Sequence, residues 1–237
     1  MGKTSLAVNI AENVSLEQKY TSIIFSYEMP PKQLGSRIVA SVSGVNLRHR
    51  KEQYSHDDLD KLMISSSQIK QGEFYIVNAA GYNTMDIKST IRRIIQESSK
   101  ELGCIVIDYV QIMSAINPSK HLNRATEIGE ISRELKLMAL EFNVTIILLS
   151  QLNRDVESRS DKRPLMSDLR ESGALEQDAD IILLLYRDDY YYEDSKDRGI
   201  AEVNVAKNRS GETGTIRLLF DKQLTKFKNL MDSNYYD

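Results

Sequence analysis

The run Met1-Gly2-Lys3-Thr4 decides how the rest of the chain is read. Gly-Lys-Thr is the second half of a phosphate-binding loop, whose full form is a glycine, four free positions and Gly-Lys-[Ser/Thr] opening a helix. Backbone N–H groups of such a loop point at phosphates, and the positive end of the helix dipole adds to the attraction. In that motif Lys3 reaches the β/γ-phosphates and the Thr4 hydroxyl ligates Mg²⁺. The spacing puts the motif's first glycine before Met1, so the chain is expected to hold half of the loop and to lack the strand that feeds it. Leu6, Ala7, Ile10, Ala11 and Val14 follow Thr4 at helical spacing, which supplies the amphipathic helix the motif requires.

At 237 residues, 41% hydrophobic and 27% charged, the chain has the composition of an ordinary globular protein. A single cysteine, Cys104, excludes a disulfide framework. His49, His56 and His121 are scattered without ligand spacing, which argues against zinc. No apolar run approaches the ~20 residues of a membrane span. The net charge of −3 gives no global attraction to nucleic acid, so any such binding rests on local groups.

Outward from the first helix, strand patterns at 21–26, 74–77, 104–107, 145–149 and 181–186 alternate with helical patterns at 31–43, 57–69, 84–101 and 125–142. Thr84 is expected to cap the third of these helices, with Ile87, Ile91, Ile94 and Ile95 on its buried face. The last has a stripe of Ile128, Ile131, Leu135, Met138 and Phe142. Alternation of this kind implies right-handed crossovers and a parallel sheet. The wholly apolar strands at 104–107, 145–149 and 181–185 agree, because parallel strands are covered on both faces. Segments 200–206 and 215–220 flank a polar tip and read as a β-hairpin. With no internal repeat or low-complexity linker, residues 1–237 form one domain.

Ligands of open parallel sheets bind outside the carboxyl ends of the strands. Three apolar strands here are followed by Glu28, Asp108 and Gln151. Phosphoryl transfer to water needs Mg²⁺ beside the β/γ-phosphates, a place that suits Asp108, and a group that orients or deprotonates the water, which suits Glu28. Gln151, an uncharged donor and acceptor, suits a group that senses the γ-phosphate or passes its state to the loop that follows. Lys207 and Arg209, two apart, turn to one face of an extended segment, where they read either as solvated hairpin charges or as the cation such a transition state needs. A hairpin tip reaches a neighbour's site more readily than its own. In the loop 151–173, Arg154, Arg159, Lys162, Arg163 and Arg170 are balanced by Asp155, Glu157, Asp161, Asp168 and Glu171, so charge alone predicts no nucleic-acid patch. Gly173, close to Arg170, permits close backbone approach to a phosphate. Tyr190, Tyr191 and Tyr192 can stack bases, but Asp188, Asp189, Glu193 and Asp194 beside them favour an ordinary surface loop.

Together these residues resemble the bacterial replicative DNA helicases of the DnaB family over their RecA-like C-terminal motor. The resemblance rests on Met1-Gly2-Lys3-Thr4, Phe25-Ser26-Tyr27-Glu28-Met29, Ile107-Asp108-Tyr109-Val110-Gln111 and Glu130-Ile131-Ser132-Arg133. It continues through Leu149-Ser150-Gln151-Leu152-Asn153-Arg154, Asp161-Lys162-Arg163-Pro164, Ser167-Asp168-Leu169-Arg170-Glu171-Ser172-Gly173, Glu176-Gln177-Asp178-Ala179-Asp180 and Tyr186-Arg187-Asp188. It implies an α/β RecA-like P-loop NTPase core with a mostly parallel central sheet and a C-terminal antiparallel hairpin, its first core strand missing. It further implies a homohexameric ring that hydrolyses ATP with Mg²⁺ at subunit interfaces and moves 5′→3′ on single-stranded DNA. Glu28 then resembles the catalytic glutamate, Asp108 the acidic metal holder, and Gln151 the γ-phosphate-linked residue. Gly2, Lys3, Thr4 and Ser5 form the nucleotide loop, with Arg37 nearby. Lys207 and Arg209 resemble a basic pair delivered in trans, and Arg170, Glu171 and Gly173 the loop that holds DNA. Primase and helicase-loader contacts are expected through N-terminal parts the chain lacks. The expected setting is the cytoplasmic replication fork or an organelle such as a plastid stroma, with no membrane association. Two alternatives stay open: another RecA-like DNA-dependent ATPase of recombination or repair, and a truncated, non-catalytic DNA-binding or assembly fragment.

Overall fold

The computed structural model describes residues 1–47, 54–113 and 123–230, with the side chains of 154 and 170–172 outside the description. His49 and His121 of the sequence reading lie outside the described residues. Strands β1 (Thr21–Ser26), β2 (Phe74–Asn78), β3 (Leu102–Asp108) and β4 (Thr145–Leu148) pair in parallel in the order β2-β1-β3-β4. Crossovers between them are made by α2 (Pro31–Ser43) with α3 (His56–Gln71), by α4 (Thr84–Glu97) and by α5 (Arg124–Glu141). The expectation of a parallel α/β layer holds for these strands.

Alternation along β1 and β3 divides the interior into two cores. Ile23, Phe25, Ile105 and Ile107 face α4 and α5, where Ile87, Ile91, Ile94, Ile128, Ile131 and Leu135 meet them. Ile24, Cys104 and Val106 face the other way, against Ala7, Val8 and Ala11 of α1 (Lys3–Glu12) and Leu34 and Ile38 of α2. Burial on both faces explains why these strands carry no polar alternation. Two details differ from the sequence reading. Asn83, not Thr84, caps α4, accepting from the amides of Met85 and Asp86, while the Thr84 hydroxyl donates to Glu134 on α5. Ile95 is 41% exposed, because the stripe rotates past it after Ile94.

The larger correction concerns 181–186. Strand β5 (Ile181–Tyr186) does not extend the parallel sheet. It pairs antiparallel with β6 (Ile200–Asn208), which pairs with β7 (Gly214–Asp221) and then β8 (Lys226–Asn229). Its burial alternates, with Ile181 and Leu183 exposed and Ile182, Leu184 and Tyr186 buried, as in a sheet covered on one face. A short apolar run carries the same pattern in either setting, so sequence could not separate them. The hairpin 200–221 is as expected, whereas β8 and the short α7 (Asp188–Tyr191) were not anticipated.

The second sheet meets the first layer at α1. Phe227 of β8 donates its amide to Asn9 Oδ1 (2.8 Å), and Asn9 Nδ2 donates to Glu12 Oε2 (3.1 Å). Ser41 of α2 donates to the same oxygen (2.7 Å), and Lys226 Nζ donates to the Ser41 carbonyl (2.8 Å). Glu12 is 4% exposed and its Oε1 has no partner among the described residues. Burial raises its carboxyl to about 7, with Ser41, Lys226 and Asn9 acting in the opposite direction. A carboxyl raised on folding binds its proton more tightly in the native than in the unfolded state, so stability falls as pH rises. The window runs from its ordinary 4.5 to about 7. Thermal unfolding followed from pH 4.5 to pH 8 is expected to show this loss in the wild type, and Glu12→Gln, which cannot ionise, is expected to flatten it.

Candidate active site

Because β1, β3 and β4 are parallel neighbours, their carboxyl ends lie side by side. Glu28, Asp108 and Gln151, each just past or at such an end, are thereby gathered at one edge of the sheet. Backbone bonds fix that edge. Tyr27 donates its amide to the Asp108 carbonyl (2.9 Å), Leu149 to Ile107 (3.0 Å) and Val110 to Leu149 (3.0 Å).

The N-terminus of α1 faces the same edge. Thr4 Oγ1 donates to Asp108 Oδ2 at 2.8 Å, joining the helix start to the end of β3. Asp108 is 2% exposed and its second oxygen, Oδ1, has no hydrogen-bond partner among the described residues. Burial pushes its carboxyl upward, Glu28 adds to this, and Thr4, Lys3 and Arg37 oppose it. Burial lowers the Lys3 ammonium, which the charges of Asp108 and Glu28 resist. Lys3, Glu28 and Arg37 thus lie within electrostatic reach of Asp108. Lys3 Nζ also lies 4.6 Å from the centre of the Tyr109 ring. A hydroxyl and a buried carboxylate with an unsatisfied oxygen are hard donors, suited to Mg²⁺. Among the described residues no group of three His, Cys, Asp or Glu forms a cation cage of its own.

Gly2 supports the helix start from below. Its φ of +114° is a conformation that L side chains rarely adopt, and its carbonyl accepts from Leu6 (2.9 Å) to begin α1. A Cβ there would stand 3.4 Å from Phe227, so the rings of Phe220 and Phe227, with centroids 4.6 Å apart, form the floor under it. Ser5 is buried in the first turn of α1. Arg187, which the sequence reading quoted without giving it a role, closes the same corner. Its guanidinium lies 4.4 Å from the Phe220 ring centre, bonds Asp189, and donates to the Met1 carbonyl (3.4 Å). Gln111 is a second such residue, accepting from the Gln151 amide (3.1 Å) and donating to the Gln151 carbonyl (3.1 Å) and to Ser150 Oγ (2.7 Å).

Lys207, at the end of β6, and Arg209, just after it, both donate to the Gln177 carbonyl. Their bonds go to the end of α6 (Gly173–Asp178) and to Asp180, not to Thr4, Glu28 or Asp108. The loop before α6 explains its own neutrality. Arg159 is paired with buried Asp168 (2.7 Å), and Arg163 makes two bonds to Glu202 while lying 4.7 Å from the Tyr186 ring centre. Those cations hold the loop in shape and are committed to the protein. Gly173 starts α6 with open space where a Cβ would stand, while the side chains of Arg170 and Glu171 lie outside the description. The tyrosines at 190–192 pack on one another and on Tyr186, in keeping with the surface-loop reading.

Residues 1–229 match the family described as DnaB-like helicase C terminal domain. The chain is 45% identical over 231 residues to the replicative DNA helicase DnaB of Geobacillus stearothermophilus, covering 97% of this chain and 50% of that protein. Identity to the replicative DNA helicase DnaB of Haemophilus influenzae is 41% over 239 residues, again 50% of the relative. The chain thus spans about half the length of the curated relatives it matches. Among solved structures, a DnaB-like replicative helicase solved with regard to its interactions with primase superposes with a TM-score of 0.89 at 39% identity, covering 97% of this chain and 55% of that one. A separately solved ATPase domain gives the same score and identity, covering 97% and 81%. A KaiC-like protein of Pyrococcus horikoshii, at 17% identity and a TM-score of 0.58, shares the fold alone. The chain belongs to the DnaB-like helicase C-terminal domain family.

Proposed function

We propose that the chain is the ATP-hydrolysing motor of a replicative DNA helicase, working as a homohexameric ring on single-stranded DNA. The observation that carries this reading is the Thr4–Asp108 bond at the carboxyl edge of β3, with Asp108 Oδ1 buried and unsatisfied beside it. Bound Mg²⁺ would neutralise charge on the β- and γ-phosphates, and Thr4 and Asp108 are the residues that would hold it. Lys3 and the free amides at the start of α1 bind the phosphates, aided by the helix dipole. Glu28 accepts the proton of the attacking water, Gln151 registers the γ-phosphate, and Arg37 adds positive charge near the nucleotide. Lys207 and Arg209 complete the site from another copy, which makes hydrolysis depend on assembly. Arg170, Glu171 and Gly173 hold the DNA backbone. Few contacts per subunit suffice when a ring repeats them, so a balanced surface charge is no obstacle. Primase and a loader are expected partners of the longer protein, and the replication fork in the cytoplasm its setting. Among the described residues no helix is long and apolar enough to cross a membrane.

The test is ATP turnover by the full chain, with and without single-stranded DNA, over a range of protein concentration. Turnover per subunit is expected to rise with both, and Arg209→Ala to abolish it. A chain that binds DNA or forms rings without turnover would instead be a non-catalytic assembly fragment, and strand pairing without unwinding would make it a recombination ATPase. Thr4→Val, which keeps shape and removes the hydroxyl, is expected to weaken Mg²⁺-dependent nucleotide binding about 10- to 100-fold. Unchanged binding in that variant, read by fluorescent-nucleotide titration, would contradict the assignment of Thr4.

A further inference from the structure

In this chain the two proposed trans cations are already engaged. Lys207 Nζ donates to the carbonyls of Glu176 (2.6 Å) and Gln177 (3.4 Å), and Arg209 Nη2 donates to the Gln177 carbonyl (2.7 Å). Arg209 Nη1 reaches Asp180 Oδ1 (3.2 Å), and its amide donates to the Asp180 carbonyl (3.0 Å). The other oxygen of Asp180 is paired with Lys136 on α5. Glu176 and Gln177 lie in the last turn of α6, where carbonyls have no donor further along the helix. Two cations therefore cap the negative end of α6. The opposite end of this helix, about 9 Å away by its rise, begins at Gly173, two residues after Glu171.

The hold is weak by construction. Asp180 and Arg209 side chains are 55% and 51% exposed, so solvent screens their attraction. A polyphosphate with several charges and a dry site competes for the same donors on better terms. One ammonium and one guanidinium cannot cap α6 and reach another copy's phosphates together.

We propose that Lys207 and Arg209 exchange between two acceptor sets, the α6 carbonyls with Asp180 in their own chain and the polyphosphate held by an adjacent copy. Nucleotide capture in one copy then uncaps the helix that follows the nucleic-acid loop of the next, and Asp180 is the positioning residue that sets the balance. This rests on the motor reading above. By linkage the effect is reciprocal: nucleic acid that fixes α6 alters release of the pair.

Amide hydrogen exchange without nucleotide tests the hold apart from turnover. Lys207→Ala and Arg209→Ala are each expected to speed exchange of the amides at 177–179 about tenfold while β1 and β3 stay unchanged. Unchanged exchange there, or a uniform rise across the chain, overturns the proposal. Turnover tests the linkage. Asp180→Asn is expected to raise DNA-independent ATP hydrolysis several-fold and lower the ratio of DNA-stimulated to basal rate, whereas Asp180→Glu keeps the wild-type ratio. An unchanged ratio in Asp180→Asn, or an equal loss of both rates, overturns it. Faster exchange in α6 with no turnover in any variant supports the hold and removes the motor reading, so the two failures are told apart.

Discussion

Burial of β1 and β3 on both faces is the constraint on which the rest depends. Phe25, Ile24, Ile105 and Val106 are each at most 1% exposed, and they lock two parallel strands in register between helices on either side. Removing one such side chain costs about 3–5 kcal/mol for a phenylalanine, a large part of a domain's margin. Because the register is fixed, Ser26 stands opposite Asp108 and the carboxyl ends cannot slip. The Thr4–Asp108 bond then ties the start of α1 to that edge. The geometry of the edge thus depends on buried strand residues several positions away from it.

The antiparallel sheet supplies a second body with its own charges. It touches the first layer through Asn9, Glu12 and Ser41 with β8, and through Arg187, Phe220 and Phe227 under Gly2. The end of its inner strand β6 presents Lys207 and Arg209, whose bonds among the described residues go to α6 and Asp180, not to Thr4 or Asp108. On the proposed reading, the acidic residues and Lys3 in one body and the basic pair in the other are halves of a site. Assembly of copies is the natural way to unite them, since a head-to-tail contact that closes makes a ring.

Much of this was legible in the residues. Gly2-Lys3-Thr4 before a helical stripe, and Glu28, Asp108 and Gln151 after apolar runs, rest on local patterns that the chain states directly. What was hidden depends on partners far along the chain. Ile181–Tyr186 carries no local sign that its neighbour is β6, and Lys226–Asn229 is too short to signal a strand. Glu12 reads as a surface residue of α1 until α2 and β8 cover it. Thr84 and Asn83 are both good caps, and the contact with Glu134 decides which of them turns away. The engagement of Lys207 and Arg209 by α6 joins residues about thirty apart, beyond any spacing rule.

The claim at the centre is that the site is completed between copies, and mixing tests it most directly. Lys3→Ala and Arg209→Ala chains, each inactive alone, would be combined in equal amounts and ATP turnover measured with single-stranded DNA. Random assembly pairs an intact phosphate loop with an intact basic pair at about one site in four, so turnover is predicted to return to roughly a quarter of the wild-type level. No recovery in mixtures that assemble as the wild type does would contradict a site shared between copies.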